Sequence, residues 1–457
     1  MNANQPNLAL ERVLTLPAVS FIAIGFTIGG GVFIFTGIVY KITGPFLPWA
    51  YGLAVIPVFM SMLPLAMLGA ALPTIGGNYK YPSRMVSPGL AFTGIWTYAL
   101  ASFFGQVPLY AIGCAQYAQV YLPNLSTTWL AIALVTLFFL INLMGVRLAA
   151  QVQGVLVLIL IAALVFYAVS GLQVVQPDHF AAAADVKISA LLLGTALLTF
   201  TYLGSNAIIE LGGEIVEPAR TIPRAFMIAF PVVALIYIVV ALATVGAVPA
   251  EILTKSNEPL IHVSRLSMSA TGVLFFVFGG AILALTTTLN ALFIVGTKSL
   301  LTIVDDQLLP ARLGRLHPRF KTPHVLLIAI WLLSVLGILS GFSLATLASY
   351  AALGGLIIFL PIQIAALRLP RLYPDRYWCA PFKLKGIWFW VCPLSGILMV
   401  FFFGAIILYE LKTLTKIGCF LAFVATGGLY YLQRKAYLRR QGIDLDHLMD
   451  QEHDWDG

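Results

Sequence analysis

Charged side chains are scarce in this sequence. Asp, Glu, Lys and Arg make up only 10% of the 457 residues, whereas 60% are hydrophobic. Soluble domains carry about 25% charged residues, so the composition predicts an all-α integral membrane protein surrounded by lipid. The formal net charge of +8 does not indicate a nucleic-acid partner, because the basic residues lie between apolar runs. They are better read as topology signals.

Cysteine and metal-ligand patterns are also nearly absent. The four cysteines are Cys114, Cys379, Cys392 and Cys419, and no pair has the spacing of a redox or zinc motif. The six histidines lie in polar segments or at the edges of apolar runs, without a His-x-x-x-His pair. No catalytic constellation is recognisable. The sequence therefore predicts neither an enzyme nor a resident metal or organic cofactor.

What the chain has in abundance is long apolar runs, each able to supply the roughly 20 residues of a membrane span. Twelve are recognisable, and the two that begin at residues 324 and 343 are the least clearly separated from each other. The runs cover residues 14–40, 45–72, 88–121, 128–146, 150–172, 189–216, 225–249, 271–304, 324–341, 343–367, 387–409 and 414–433.

The distribution of basic residues predicts the orientation. If the N-terminus is inside, 20 Lys and Arg fall in one alternating set of connections and 6 in the other. The positive-inside rule then makes both ends cytoplasmic, with the terminal segments 1–13 and 434–457 outside the lipid. The short acidic tail after Arg440 is predicted to be solvated rather than docked.

Two glycine-rich interruptions are the most informative feature. Gly29, Gly30 and Gly31 interrupt the first run, and Gly204 with Ser205 interrupts the sixth, about 175 residues later. Each glycine loses roughly 1 kcal/mol of helix propensity, and unwound backbone within a membrane persists where it lines a cavity or binds a ligand. Paired interruptions of this kind indicate the binding site of a secondary transporter. The alternative is a pair of small-residue packing seams.

Several motifs resemble those of the amino acid–polyamine–organocation permeases, a superfamily of amino acid transporters. The triple glycine is the first of these motifs, and the others follow it in the order found in that superfamily. They are Pro-Thr-Ile-Gly-Gly-Asn-Tyr-Lys-Tyr (73–81), Asn-Leu-Met-Gly-Val-Arg (142–147), Glu-Ile-Val-Glu-Pro-Ala-Arg-Thr-Ile-Pro (214–223), Thr-Thr-Thr-Leu-Asn (286–290) followed by Lys298, Asp306 and Leu-Pro (309–310), and His-Pro-Arg-Phe (317–320).

The resemblance implies the leucine-transporter fold: twelve transmembrane helices with helices 1 and 6 discontinuous. Inverted repeats would occupy 14–172 and 173–367, and two appended helices 368–433. It also implies a cell-membrane permease that moves an amino acid by alternating access, as a monomer or weak homodimer. A polyamine or organic-cation carrier is the alternative, and a non-transporting amino acid sensor is a further one.

The expected substrate site combines the two interruptions. The amides that begin the second half of span 1 suit a carboxylate, and the carbonyls that end the first half of span 6 suit an ammonium group. An aromatic at Phe200 would cover the substrate, as in relatives. The predicted binding residues are Ile28, Gly29, Gly30, Gly31, Phe200, Gly204, Ser205 and Asn206.

Glu210 is the most conspicuous polar residue, since an acid at membrane depth is costly and indicates a function. It could carry a coupling proton, contact a polar substrate group, or join a gate with Lys298. Glu214, one turn further, favours a salt bridge or gate.

Coupling to sodium is the other hypothesis. A sodium ion could bind near Gly25, Thr286 and Thr287, and Asn290 would share a polar cavity wall with Thr287. Many sodium-independent relatives carry a lysine in span 5, whereas this sequence has no basic residue between Ala149 and Asp178. Coupling to H⁺, coupling to Na⁺ and exchange without a coupling ion therefore all stay open at this point.

Overall fold

The structure is a computed structural model that describes residues 12, 14–119, 122–144, 146–180, 187–256, 258–320, 322–411, 413–446 and 455. The side chains of residues 146–153 and 294 are outside this description. The predicted N-terminal segment 1–13 therefore lies outside the described residues except for Arg12, as does most of the tail beyond Asp446.

Helices account for almost all of the described chain. In order they are α1 Leu16–Ile28, α2 Gly31–Thr43, α3 Leu47–Ala71, α4 Gly77–Met85, α5 Pro88–Leu100, α6 Val107–Gln119, α7 Thr127–Leu143, α8 Val146–Leu172, α9 Ile188–Tyr202, α10 Pro218–Ala247, α11 Ala250–Lys255, α12 Pro259–Ser267, α13 Ala270–Phe275, α14 Leu283–Asp305, α15 His324–Leu339, α16 Leu344–Ile357, α17 Phe359–Leu372, α18 Pro374–Cys379, α19 Trp388–Glu410 and α20 Leu414–Arg440.

The helices are long and apolar enough to cross a membrane. Within the described ranges, nine helical stretches meet that requirement, and the first of them, Leu16–Ala71, is 56 residues long. Two further helices, α7 and α15, are also apolar but shorter. Because every backbone group inside lipid needs an internal partner, such helices are the structure expected of a multi-pass membrane protein.

Both predicted interruptions coincide with helix breaks. Helix α1 ends at Ile28 and α2 begins at Gly31, so Gly29 and Gly30 join two helices. Helix α9 ends at Tyr202, and the chain continues as 3₁₀ helix over Leu203–Glu210 and Gly212–Glu214. The expected second α-helical half of span 6 is therefore a 3₁₀ segment.

Backbone contacts explain this difference in span 6. Gly76 N–H donates to Glu210 O at 3.3 Å, and isolated bridges join Leu211 to Ile75 and Ile215 to Leu14. These partners hold the segment away from the α-helical path that it would otherwise follow.

Two π-helical segments widen the bundle near its centre. Ala101–Gln106 lies between α5 and α6, and Phe276–Ile282 lies between α13 and α14. Such segments are rare and concentrate at functional sites. The first of them brings a polar residue, Gln106, to the level of the helix breaks.

Candidate functional site

The two helix breaks lie directly against each other. A Cβ added at Gly204 would lie 2.6 Å from Phe26 O and 2.8 Å from Thr27 Cα, so only glycine permits this approach of α1 to the 3₁₀ segment. The contact between two backbones leaves no flexible side chain that could move aside. The glycine of span 6 is therefore required by packing between the two broken helices.

A small cavity, here called the junction cavity, lies beside this contact. Its volume is about 20 Å³, enough for about one water molecule. Three of the predicted binding residues line it, and none of its lining side chains is charged. The lining residues are Phe26, Tyr98, Gln106, Phe200, Leu203, Gly204, Asn206 and Gly355.

The three glycines of span 1 are packed against protein atoms instead. A Cβ at Gly29 would meet Thr288 Oγ1 at 2.1 Å, and one at Gly30 would meet Leu285 and Tyr110 within 2.3–2.6 Å. Gly30 N–H donates to Thr288 Oγ1 at 3.2 Å. Of the amides predicted to face a carboxylate, this one is held by a threonine of α14 in the present conformation.

The carbonyls at the broken end of α1 converge on one hydroxyl group. Tyr237 Oη, from α10, lies 2.6 Å from Thr27 O, 3.1 Å from Ile28 O and 3.3 Å from Thr201 O. A phenol has a single proton to donate, so this hydroxyl cannot satisfy all three acceptors at once. Tyr237 thus joins the carboxyl ends of both interrupted helices at one point.

Glu210 lies fully buried at the end of the 3₁₀ segment. Its Oε1 accepts a hydrogen bond from Asn78 N–H at 3.0 Å, and its Oε2 accepts one from Ser299 Oγ at 2.7 Å. Both donors are neutral, so the contacts solvate the carboxyl group without supplying a compensating charge. The carboxyl group is placed between α4 and α14.

Tyr98 connects Glu210 to the junction cavity. A second cavity, of about 10 Å³, is lined by Glu210, Asn78, Ser299 and Tyr98 among others. Tyr98 also lines the junction cavity. One aromatic ring therefore separates the candidate substrate site from the buried acid.

Two ion pairs lie on the face of the bundle that carries α4, and we call this side of the bundle the basic face. Lys298 Nζ binds Glu214 Oε1, whereas the sequence suggested Glu210 as its gate partner. Arg84 binds both carboxylate oxygens of Asp306, at 2.5 and 2.7 Å, and Tyr79 Oη donates to Asp306 Oδ2 at 2.7 Å. These contacts tie α4 and the 3₁₀ segment to α14.

The residues proposed for sodium are arranged differently. Thr286 Oγ1 donates to Ile282 O at 2.8 Å, and Thr287 Oγ1 donates to Ala284 O at 3.0 Å. The Cβ position of Gly25 is taken by Val157 of α8, whose Cγ2 would lie 2.2 Å away. The two hydroxyl protons are thus used within their own helix, and an apolar side chain lies at the third position.

Two further predicted residues lie away from the junction cavity. Asn290 Oδ1 accepts a hydrogen bond from Asn142 Nδ2 at 2.7 Å, which joins α14 to α7. Ser205 Oγ lies 3.5 Å from Tyr202 O, a local contact across the end of α9. Among the described residues, no group of three His, Cys, Asp or Glu side chains is placed to hold a metal ion.

A larger groove opens on the side opposite the basic face, and we call it the vestibule. Its volume is about 570 Å³, and it is lined by parts of α2, α6, α9 and α16 and by the turn between α19 and α20. Its polar lining residues include Lys41, Gln116, Ser349, Glu410 and Lys416. The vestibule shares no lining residue with the junction cavity.

Sequence reasoning did not identify Tyr98, Gln106, Tyr237 or Ser299 as site residues. Aromatic residues within apolar runs resemble ordinary core residues, and a lone serine in a helix usually bonds to its own backbone. One signal was present for Gln106, since an uncharged polar residue stands in an otherwise apolar run. Its contact with the breaks depends on long-range packing.

A bundle of apolar helices in which two broken helices meet beside an uncharged cavity is typical of the class of membrane transporters. Comparison with known families makes the assignment specific. The family model described as amino acid permease matches residues 14–430, and the chain belongs to this family. The resemblance noted in the motifs is thereby confirmed.

Individual relatives are similar over most of their length. The methylthioribose transporter of Bacillus subtilis (strain 168) is 26% identical over 454 residues, covering 94% of this chain and 95% of the relative. The branched-chain amino acid permease BcaP of the same organism is 24% identical, covering 83% and 85%. Solute carrier family 7 member 12 of Mus musculus is 25% identical, covering 80% and 81%.

Proposed function

We propose that this protein moves a neutral amino acid across the cell membrane by alternating access, coupled to a proton. The observation that carries the proposal is the junction cavity, where the two helix breaks meet and where the lining is uncharged. Broken helix ends supply partial charges for a carboxylate and an ammonium group without a charged side chain. Because the cavity has room for about one water molecule, the broken helices must move apart to admit the substrate, whose apolar side chain would then pack against Phe26, Phe200 and Leu203.

The lack of charge on the lining argues against the alternative substrates. A polyamine needs acidic partners in a low-dielectric site. The nearest acid, Glu210, is turned away towards Asn78 and Ser299. A neutral amino acid matches the lining better, with Gln106 and Asn206 available as hydrogen-bond partners.

Glu210 is the group proposed to carry the proton. A buried carboxyl group with neutral donors is costly as an anion, so its charge state should respond to any movement that admits water. Opening the basic face would separate α4 from the 3₁₀ segment and expose Glu210. Proton release would then accompany substrate release, with Tyr98 lying between the two sites.

The proposed arrangement in the membrane has twelve crossings and both termini in the cytoplasm. The 56-residue stretch supplies two crossings, and α7 and α15 supply two more. Lys41 and Lys416 of the vestibule belong to the basic-poor set of connections, whereas Lys80, Arg84 and Lys298 belong to the basic-rich set. The vestibule would therefore face outside and the basic face the cytoplasm, with inverted repeats over 14–172 and 173–367.

Uptake into proteoliposomes tests the substrate and the coupling together. Radiolabelled neutral amino acids should accumulate when the outside is acidic, whether or not sodium is present, and spermidine should not. Selective uptake of methylthioribose, the solute named for the Bacillus subtilis relative, would overturn the assignment to amino acids.

A matched pair of variants tests the site. Asn206→Ala should raise KM for the amino acid, because it removes a polar group from the junction cavity. Asn142→Ala is the control, since Asn142 is also buried but bonds to Asn290 away from that cavity. Equal effects of the two variants on KM would argue against the junction cavity as the substrate site.

A further inference from the structure

The end of the chain folds back onto the bundle. After α20, the backbone turns at Gly442, which has φ of +80°, and Ile443 N–H donates to Leu438 O at 3.1 Å. Leu445 is then buried, and Asp446 binds Lys435 Nζ at 2.8 and 2.9 Å. The described residues after α20, up to Asp446, thus pack back against that helix.

Trp455 lies in that face, 5% exposed. Its ring stacks on Tyr81 of α4, with centroids 5.7 Å apart and planes at 17°, and meets the edge of Tyr373 at 5.8 Å. Lys80 Nζ lies 5.7 Å from the centre of the ring. The prediction that the tail is solvated is therefore wrong for Trp455, which contacts three residues of the bundle.

The surroundings of Trp455 match the charge of the tail. Trp455 borders a cavity of about 630 Å³ whose lining includes Arg12, Arg220 and Arg376 against one acid, Glu217. The segment that carries the tryptophan has six acidic residues after Arg440 and no lysine or arginine; the acidic residues are Asp444, Asp446, Asp450, Glu452, Asp454 and Asp456. An acidic peptide with an aromatic anchor is the ligand that such a cavity suits.

We propose that the arginine-lined cavity of the basic face is a docking site for the chain's own acidic C-terminal segment, and that the ring of Trp455, held between Tyr81 and Tyr373, opposes opening of the basic face. The gating part rests on the transport function proposed above, whereas the docking part does not.

The link to the gate runs through α4. Tyr81 and Lys80 of this helix contact Trp455. The same helix donates the N–H of Asn78 to Glu210 and pairs Arg84 with Asp306. Trp455 joins α4 to Tyr373 at the end of α17. Opening the basic face requires α4 to move away from the 3₁₀ segment, and a ring clamped between Tyr81 and Tyr373 opposes that movement.

Peptide binding tests the docking without any need for transport. A chain truncated after Asp446 should bind a fluorescent peptide of residues 447–457, measured by anisotropy, because its cavity is vacated. The same peptide with Trp455→Ala should bind roughly tenfold more weakly or worse. Added salt should weaken the binding, since arginines meet acids. Absence of peptide binding to the truncated protein would overturn the proposal.

The full-length chain with Trp455→Ala provides a second test that does not depend on the truncated protein being stable. Its released tail should leave the cavity open to the wild-type peptide, and its maximal uptake rate should rise severalfold. Trp378→Ala is the matched control, because Trp378 lies on the adjacent helix α18 but is 62% exposed. A Trp455→Ala protein that neither binds the peptide nor transports faster than the Trp378→Ala control would also overturn the proposal. Peptide binding with an unchanged rate would overturn the gating part.

Discussion

Replacing Glu210 separates its structural role from its proposed role in coupling. The carboxyl group accepts from Asn78 N–H and Ser299 Oγ inside a site with only about 10 Å³ of free space. In Glu210→Gln, the amide oxygen can keep the bond from Asn78, and the amide nitrogen can donate to the serine oxygen. The glutamine therefore reproduces the neutral acid in shape and in hydrogen bonding.

Glu210→Ala removes both acceptors. The Ser299 hydroxyl can rotate to another acceptor, but the backbone N–H of Asn78 cannot. A buried donor left without a partner costs about 1–3 kcal/mol. We therefore expect the alanine variant to be less stable than the glutamine variant by about that amount. Glu251, exposed on α11, is the control, since its two variants should be equally stable.

Two assays check this reasoning. Denaturation of the purified variants should rank glutamine above alanine at position 210. Uptake by the wild type should fall as the external pH rises, because less proton is available to load Glu210, whereas the Glu210→Gln profile should be flat. A glutamine variant as unstable as the alanine one would refute the hydrogen-bond geometry, and a normal pH profile in that variant would refute the proton-carrier role.

Three other substitutions have defined outcomes. Gly204→Ala should abolish uptake and lower the melting temperature, because its Cβ would lie 2.6 Å from Phe26 O; normal uptake would refute that contact. Tyr237→Phe should lose about 1–3 kcal/mol of stability, more than the control Tyr167→Phe, whose hydroxyl meets one threonine instead of three carbonyls; equal losses in denaturation would contradict this. Arg84→Lys should raise the leak of substrate through the protein in proteoliposomes, since lysine cannot reproduce the two parallel N–H···O bonds that the planar guanidinium makes to Asp306; unchanged leak would remove this pair from the gate.

The positions of the helix breaks could be predicted from the sequence. Glycine has a low helix propensity that acts locally, so a run such as Gly29–Gly31 marks a break wherever the chain folds. The family was accessible for a similar reason, because its motifs are short and contiguous. The partner of Lys298 was not predicted, since the sequence suggested Glu210 for that pair and the structure places Glu214 there.

The surroundings of the breaks could not be predicted from the sequence in this way. Tyr237 and Tyr98 act through contacts with residues far away in sequence, and nothing in an apolar run distinguishes them from core aromatics. The 3₁₀ path of Leu203–Glu210 depends on backbone partners from two other segments. The burial of Trp455 likewise depends on a surface assembled from α4 and the end of α17.

The π-helical segment Ala101–Gln106 has a consequence for how solute selectivity can change. A π turn holds one residue more than the surrounding α-helix, and each residue of an α-helix turns the chain by about 100°. Deleting a single residue from this segment would restore regular helix and rotate Gln106 away from the junction cavity. An insertion–deletion event of one codon in an apolar helix would thereby replace a polar wall by an apolar one, without altering any residue of the broken helices.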